Sequence, residues 1–468
     1  MNLRNTTLEE LLSSKKLDLI TNTKGLSNYT SLNIFEITNN GEVYFFGNFP
    51  ESHLRQIHLN PEVQLVIKES MLIADGQAYF VKDKKTIQKK LMLLIEKGLK
   101  LPSKIEELPP TTKLVIVKLY MIKRIDLNGK VIEHYEIPNN RNSLFKEIIF
   151  GFGNELKYWF FAARAPFFTA SLIPILVGTS AAYFVKKTIR WELLFLALIG
   201  LLFIHAATNL LNDYYDHVSK NDDINKFFTP FNGGSRFIQS RLATPARIFV
   251  AGIFSLFAGI AIGLYLNTIY PGNIILFIGI LGVYFAIFYT APPFNLSYRT
   301  LGDLAVGIGF GPLPVIGAFY LQTGTLEIST AKYALISSIP VGILVALILY
   351  VNNFQDLDAD TAVNKKTSIV KLGKSRAAKL YPWILAIVYI IIMIGIIFGM
   401  LPYTMLIVFL TVPLAINAVK GMKTMYSKVF ELIPVNITTI NLHLFTGLLI
   451  SIGFIIAGYF GLGTVKAL

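Results

Sequence analysis

Two acidic stretches stand out in an otherwise apolar chain. The first, NLLNDYYDHVSKNDD (209–223), follows the run WELLFLALIGLLFIHAAT, and the second is YVNNFQDLDADTAVNKKTS (350–368). Asn212 and Asp216 are four residues apart and Asp213 and Asp216 three, so a helix carries them on one face. Asp222 follows in a short loop. Asp356 and Asp360 repeat the four-residue step, with Asn353 one turn before Asp356. Carboxylates beside membrane-spanning segments are costly and are functional candidates by default. An all-oxygen set that uses no Cys or His suits a hard cation, and Mg²⁺ typically joins a few carboxylates to substrate phosphates. Two clusters facing each other would clamp a diphosphate, with Lys365, Lys366, Arg236 and Arg164 completing the charge balance. A single acidic helix end reads as a solvated terminus. Two with matched spacing, and with basic residues just beyond each, favour the metal and diphosphate reading.

The elements that must position these groups are apolar helices. The 468-residue chain is 53% hydrophobic and only 15% charged, with mean hydropathy +0.54, where a soluble chain is about one-quarter charged. Residues 1–145 carry ordinary soluble chemistry, 146–161 read as a linker, and 162–468 as an all-α membrane bundle. Runs near the roughly twenty residues needed to cross a bilayer fall at 162–184, 191–212, 247–266, 272–291, 301–322, 331–353, 380–400, 402–419 and 440–461, predicting nine transmembrane helices. Gly259 and Gly263 are expected to allow close helix packing. The net charge of +14 goes with a clustering of Lys and Arg, beyond residue 162, in loops 213–246, 354–379 and 420–439, as the positive-inside rule requires. It therefore indicates a bilayer rather than nucleic acid, and puts the N-terminal domain and both acidic clusters on the cytoplasmic side. KKTIR (186–190) is the one loop that violates the rule. MNLRNTTLEELLSSKKLDL has no apolar core and is not read as a signal peptide.

The membrane part resembles the UbiA-type intramembrane prenyltransferases. NLLNDYYD and NNFQDLDAD look like that family's two Asp-rich motifs, ARAPFFTASLIPILVGT like its first-helix signature, and FNGGSRFIQSRLATP like the loop after the first motif. YTAPPFNLSYRTLGDLAVGIGFGPLPVIG and NKKTSIVKLGKSRA resemble the branch that prenylates 1,4-dihydroxy-2-naphthoate in menaquinone synthesis. The resemblance implies a nine-helix fold and a Mg²⁺-dependent transfer of a polyprenyl group from prenyl diphosphate to an aromatic acceptor. It carries metal binding to Asn212, Asp216, Asp222, Asp356 and Asp360, and catalysis to Asp213, Asp216, Asp356 and Asp360. Many members place a third acid four residues after Asp216, where this chain has Lys220, so Asp222 takes that part. Asn364 stands where a Gly commonly precedes the lysine pair. The acceptor alternatives are 4-hydroxybenzoate, a tetrapyrrole or a glycerophosphate ether. Tyr214, Tyr215, Tyr289 and Tyr298 are near enough to shield a carbocation, or serve as interfacial anchors. His205 reads as a packed polar residue. From a different class, an ion-coupled transporter would use intramembrane acids near the bilayer midplane; acids at helix ends favour the enzyme.

The N-terminal domain reads as a small β-barrel with strands in 30–40, 41–49, 63–70, 72–81, 112–127 and 130–137, and with helices over ESHLRQIHLN and KKTIQKKLMLLIEKGL. It resembles the pyridoxamine-phosphate-oxidase-like split barrels through GEVYFFGNFPESHLRQIHLNPEVQLVI and LIADGQAYFVKD. That implies an FMN site at Ser52 and Arg55. Flavin-binding members follow the Ser with basic residues. In Ser52-His53-Leu54-Arg55 only Arg55 offers a fixed charge, so a degenerate barrel serving in regulation or docking stays open beside a flavin-binding one.

Overall fold

The computed structural model describes residues 17–23, 26–32, 35–38, 42–48, 62–67, 72–81, 83–102, 104–108, 112–125, 131–136, 155–240 and 242–463. The chain divides into two compact units, residues 1–160 with 237–244, and residues 161–236 with 245–468. Within the first, Tyr158 Oη donates to the Leu242 carbonyl at 2.9 Å, holding the later segment to the earlier one.

The first unit is built on β1 (Leu17–Thr23), β2 (Leu26–Leu32), β3 (Glu36–Ile37), β4 (Glu42–Asn48), β5 (Glu62–Ile67), β6 (Leu72–Phe80), helix α1 (Lys84–Glu96), β7 (Thr112–Ile125) and β8 (Val131–Glu136). They form one eight-stranded sheet in the order β2-β1-β5-β6-β7-β4-β3, with β8 also on β7. Alternate residues along the strands are apolar and point to one face. Leu17 and Leu19, Val43 and Phe45, Val63, Leu65 and Ile67, and Val115, Val117 and Leu119 all enter one core. On β7 the inward set changes from odd to even at Ile122. The register explains the change: Gly76 pairs with Leu119 but Asp75 with Met121, so Tyr120 is the extra residue of a bulge. Asp83 caps α1, which buries Leu91 and Leu94. The expected helix over ESHLRQIHLN lies outside the described residues, as do Ser52 and Arg55. Strand β1, and β2 up to Tyr29, were not expected from the sequence, because LDLITNT gives too short an alternation to stand out.

The second unit contains α2 (Thr169–Lys186), α3 (Trp191–Val218), α4 (Asn221–Ile224), α5 (Pro245–Asn267), α6 (Ile274–Phe288), α7 (Gly302–Phe310), α8 (Pro312–Thr323), α9 (Ile328–Ala362), α10 (Ser368–Leu372), α11 (Lys374–Ile397), α12 (Val412–Met425) and α13 (Ile433–Phe460). Among the described residues, eight helical segments rather than nine are long and apolar enough to cross a membrane. The expected span 272–291 is α6, whose 15 residues rise only about 22 Å, short of a core about 30 Å thick. The expected span 301–322 is interrupted at Gly311, with φ −112° and ψ −95°. Pro312 contributes no N–H there, and the backbone of α9 presses in: a Cβ on Gly311 would lie 2.6 Å from the Cα of Gly342. Phe254, Trp383 and Leu410 expose 70%, 72% and 71% of their area, a surface suited to lipid rather than water.

Two helices run past their expected ends, and this builds the site. Helix α3 continues from 212 to Val218, and α9 from 353 to Ala362. The acidic motifs are therefore regular helix rather than loop, so their four-residue steps do face one way.

Candidate active site

The two acidic helix ends border one cavity of about 210 Å³, lined at one end by Asn212, Asp216, Asp222, Asp356 and Lys365. Lys365 is the cation between the clusters. Its Nζ lies 3.3 Å from Asp216 Oδ2 and 3.8 Å from Asp360 Oδ1. Burial pulls its pKa down, but Asp216 and Asp360 outweigh that and hold the ammonium well above its ordinary value. Tyr298 Oη donates to Ser219 Oγ at 2.7 Å and reaches Asp216 Oδ1 at 3.3 Å. Burial, then the Asp216 charge, push its phenol up to about 12.

The second cluster is held by amides. Asn225 Nδ2 and Asn232 Nδ2 each donate to Asp356 Oδ1 at 2.7 Å, and Asn221 Nδ2 donates to Asp360 Oδ1 at 3.0 Å. These three asparagines come from the 219–235 segment, so that segment ties α9 to α3. They were not singled out from sequence, though NDDINKF and FNGGSRF do place amide donors beside the acids. The loop must also carry Gly233 and Gly234, at φ +74° and +76°. A Cβ on Gly234 would stand 2.2 Å from Asp222 Oδ2 and 3.2 Å from Asp213 Oδ1.

The twelve expected residues separate. Asn212, Asp216, Asp222, Asp356, Lys365 and Arg164 line the cavity, and Asp360 is buried against Lys365. Asp213 is engaged by Arg164, by the Ser235 hydroxyl and by Ser235 N at 3.2 Å. It is not among the cavity-lining residues, and its bonds serve to pin the glycine loop. Arg236 donates to the Asp222 carbonyl and packs 4.4 Å over the Phe228 ring, shaping the loop from outside the cavity. Lys366 is exposed, its backbone tied to Tyr298 and Thr300. Ser52 and Arg55 lie outside the described residues. Tyr289 lines the cavity, whereas Tyr214 packs on Tyr215 and Phe249 away from it. His205, expected as mere packing, also lines the cavity.

The donor set fits Mg²⁺. Among the described residues, no three acidic or imidazole groups converge into a ready-made metal cage. Mg²⁺ does not require one, since it keeps waters and binds through one or two carboxylates plus substrate phosphates. All donors are oxygen, and Asp360 Oδ2 is buried with no hydrogen-bond partner. Burial, then Asp216 and Asp213, raise the Asp222 carboxyl well above its usual range, the response of an acid crowded by like charges.

Away from the acids the cavity turns apolar. A second cavity of about 340 Å³ among α3, α5, α6 and α8 shares Leu201, Ile204, Gly282 and Gly309 with the first. Gly259 packs against α3, where its Cβ would sit 2.7 Å from Ile204. Gly263 and Gly279 instead face space, with nothing within 4 Å.

The pattern of the UbiA prenyltransferase family matches residues 171–428. The chain is 28% identical over 310 residues to the 2-carboxy-1,4-naphthoquinone phytyltransferase of Synechocystis sp., covering 66% of this chain and 95% of that one. It is 32% identical over 295 residues to the 1,4-dihydroxy-2-naphthoate octaprenyltransferase of Bacillus subtilis, covering 62% and 89%. A UbiA homolog from Archaeoglobus fulgidus, bound to GPP and Mg²⁺, superposes with TM-score 0.44 at 18% identity, covering 63% of this chain and 99% of that one. For the N-terminal part, a protein of the pyridoxinephosphate oxidase family from Clostridium acetobutylicum superposes with TM-score 0.24 at 15% identity, covering 30% and 100%. The matched region holds both acidic helix ends and the loop that ties them, and the chain belongs to the UbiA prenyltransferase family as an integral membrane prenyltransferase.

Proposed function

We propose that the protein transfers a polyprenyl group from prenyl diphosphate to 1,4-dihydroxy-2-naphthoate, with Mg²⁺, in menaquinone biosynthesis. The observation that carries this reading is a single cavity with carboxylates and a buried lysine at one end and an apolar chamber joined to the other. The names of the Bacillus subtilis and Synechocystis relatives support the choice of acceptor. Basic loops beyond both acidic ends support a site on the cytoplasmic side.

Asp216, Asp222, Asp356 and Asp360 would hold Mg²⁺, with Asn212 beside them. When bound, it neutralises charge that builds on a departing diphosphate. Lys365 and Arg164 supply fixed positive charge in a desolvated site, where it acts strongly. The allylic C–O bond breaks, its electron pair leaving on diphosphate, and a ring carbon of the acceptor forms the new C–C bond with its π pair. The ring then loses carbon dioxide from that position and regains aromaticity. Tyr289, Phe285 and Phe310 line the path of the allylic cation, and their π faces favour it. The apolar walls exclude the water that would otherwise capture it. The test supplies membranes containing the protein with one radiolabelled prenyl diphosphate, Mg²⁺ or EDTA, and a panel of aromatic acceptors. A prenylated naphthalenediol formed only with Mg²⁺ is expected. Transfer to 4-hydroxybenzoate in preference would replace the acceptor, and no transfer to any acceptor would reject the reaction.

A further inference from the structure

His205 sits within the membrane-spanning part of α3, on the face that continues through Asn209, Asn212 and Asp216 in steps of four, three and four residues. It is 6% exposed and lines the cavity. Its Nδ1 lies 2.8 Å from Ser171 Oγ on α2. Among the described residues its Nε2 has no hydrogen-bond partner, yet it is not one of the fully enclosed unpartnered atoms. Phe310 meets the ring edge-on at 4.6 Å and Phe168 lies at 5.0 Å. The other polar groups on this face are committed: Asn212 to Arg164 and Asp216, and Asn209 to the Ala163 carbonyl. A half-satisfied imidazole in a membrane span is costly unless something else completes it.

Its position indicates what that is. Eleven residues of helix place His205 about 16 Å from Asp216 along α3, room for a diphosphate and an aromatic acceptor in sequence. Ile204, its chain neighbour, borders the second apolar chamber as well, whereas His205 borders the first cavity alone. The tail and the acceptor thus have separate walls. Resting on the reaction proposed above, we infer that His205, oriented by Ser171, is the acceptor-positioning residue. Its Nε2 hydrogen-bonds a ring hydroxyl of the acceptor, which lies against Phe310 in the cavity, and turns the nucleophilic carbon toward the carboxylate end. With Nδ1–H donated to Ser171 Oγ, the Nε2 lone pair accepts the hydroxyl proton of the acceptor in a hydrogen bond, which enriches the ring in electron density.

The test uses the full-length protein in membranes, with initial rates measured against each substrate while the other is saturating. His205→Phe keeps an aromatic ring beside Phe310 and removes the hydrogen bond. Acceptor KM is expected to rise about tenfold, the equivalent of about 1.4 kcal/mol, with prenyl diphosphate KM unchanged within about twofold. His205→Gln, which keeps a hydrogen-bonding group, should recover most of the loss, and Ser171→Ala should raise acceptor KM alone by a smaller factor. Acceptor KM unchanged in His205→Phe overturns the inference and leaves prenyl transfer standing. Both KM values moving together, with no recovery in His205→Gln, also overturn it, because that is the signature of lost packing. The unmodified protein runs alongside, and its failure to transfer would instead reject the reaction.

Discussion

Asp356→Asn isolates the charge of the second acidic cluster from its structural part. Asp356 Oδ1 accepts from Asn225 and Asn232 at 2.7 Å each, and an Asn carbonyl can accept both bonds from the same place. Each bond then changes from charge-assisted, worth about 1.5–3 kcal/mol, to neutral, worth about 0.5–1.5 kcal/mol. The two together lose roughly 2 kcal/mol. Relief from burying a carboxylate beside Asp216 and Asp360 works in the opposite direction, so the fold changes by less than that. Catalysis has no such compensation. Removing one preorganised charged group from a desolvated site typically costs about 10²–10³ in rate, roughly 2.7–4 kcal/mol. The assay is the initial rate of prenyl transfer across a Mg²⁺ titration, with a thermal melt of the same preparation. The rate should fall at least about a hundredfold, with the Mg²⁺ requirement displaced upward and the melt moved by a few degrees at most. A rate within about threefold of the unmodified protein at equal Mg²⁺ would falsify the two-cluster clamp. A rate loss matched by loss of folded protein would reduce Asp356 to an anchor for the asparagine loop.

Two further outcomes follow from the geometry. Gly279 lines the apolar chamber, and a Cβ there meets nothing within 4 Å, so Gly279→Ala should fold as well as the parent and gain up to about 1 kcal/mol of helix propensity. Gly279→Leu projects into the chamber and should shorten the longest prenyl chain accepted; mass spectra showing an unchanged product distribution would refute the assignment of that chamber to the tail. In the N-terminal unit, Asp83 Oδ2 accepts from Thr86 N at 2.8 Å and Thr86 Oγ1 at 2.6 Å, which holds its carboxyl below the usual 3.8. A carboxyl depressed by folding contributes stability above its unfolded value and loses it as pH falls through the folded one. Protection of the first turn of α1 against amide exchange, corrected for intrinsic rates, should therefore fade below about pH 4, and Asp83→Asn should remove that dependence.

The placement of the acids was legible from the chain because it depends on spacing along two helices. Asn212, Asp216, Asp356 and Asp360 recur at the helical step, and that step survives any arrangement of the bundle. The apolar runs were equally legible, since the length needed to cross a bilayer is a one-dimensional property. The shortness of α6 and the break at Gly311 escaped, as did the continuation of α3 and α9 through the acidic motifs. The first depends on where a helix stops, and the second on the approach of Gly342 from a distant part of the chain.

What only the tertiary structure decided is which charged groups share the cavity. Lys365 and Lys366 are adjacent and alike in sequence, yet Lys365 is buried between Asp216 and Asp360 while Lys366 faces outward. Asp213 and Asp216 are three residues apart, yet Asp213 turns to Arg164 and Ser235 and Asp216 to Lys365 and Tyr298. Asn221, Asn225 and Asn232 carry no distinguishing spacing, and they matter only because the loop folds back across more than a hundred residues of chain to reach α9. The sequence by itself determined where apolar helices lie and the step of their acids, because those follow from local periodicity. The tertiary structure decided partners, because in a desolvated cavity each carboxylate must find its donors or cations among whatever the fold brings within about 3 to 4 Å.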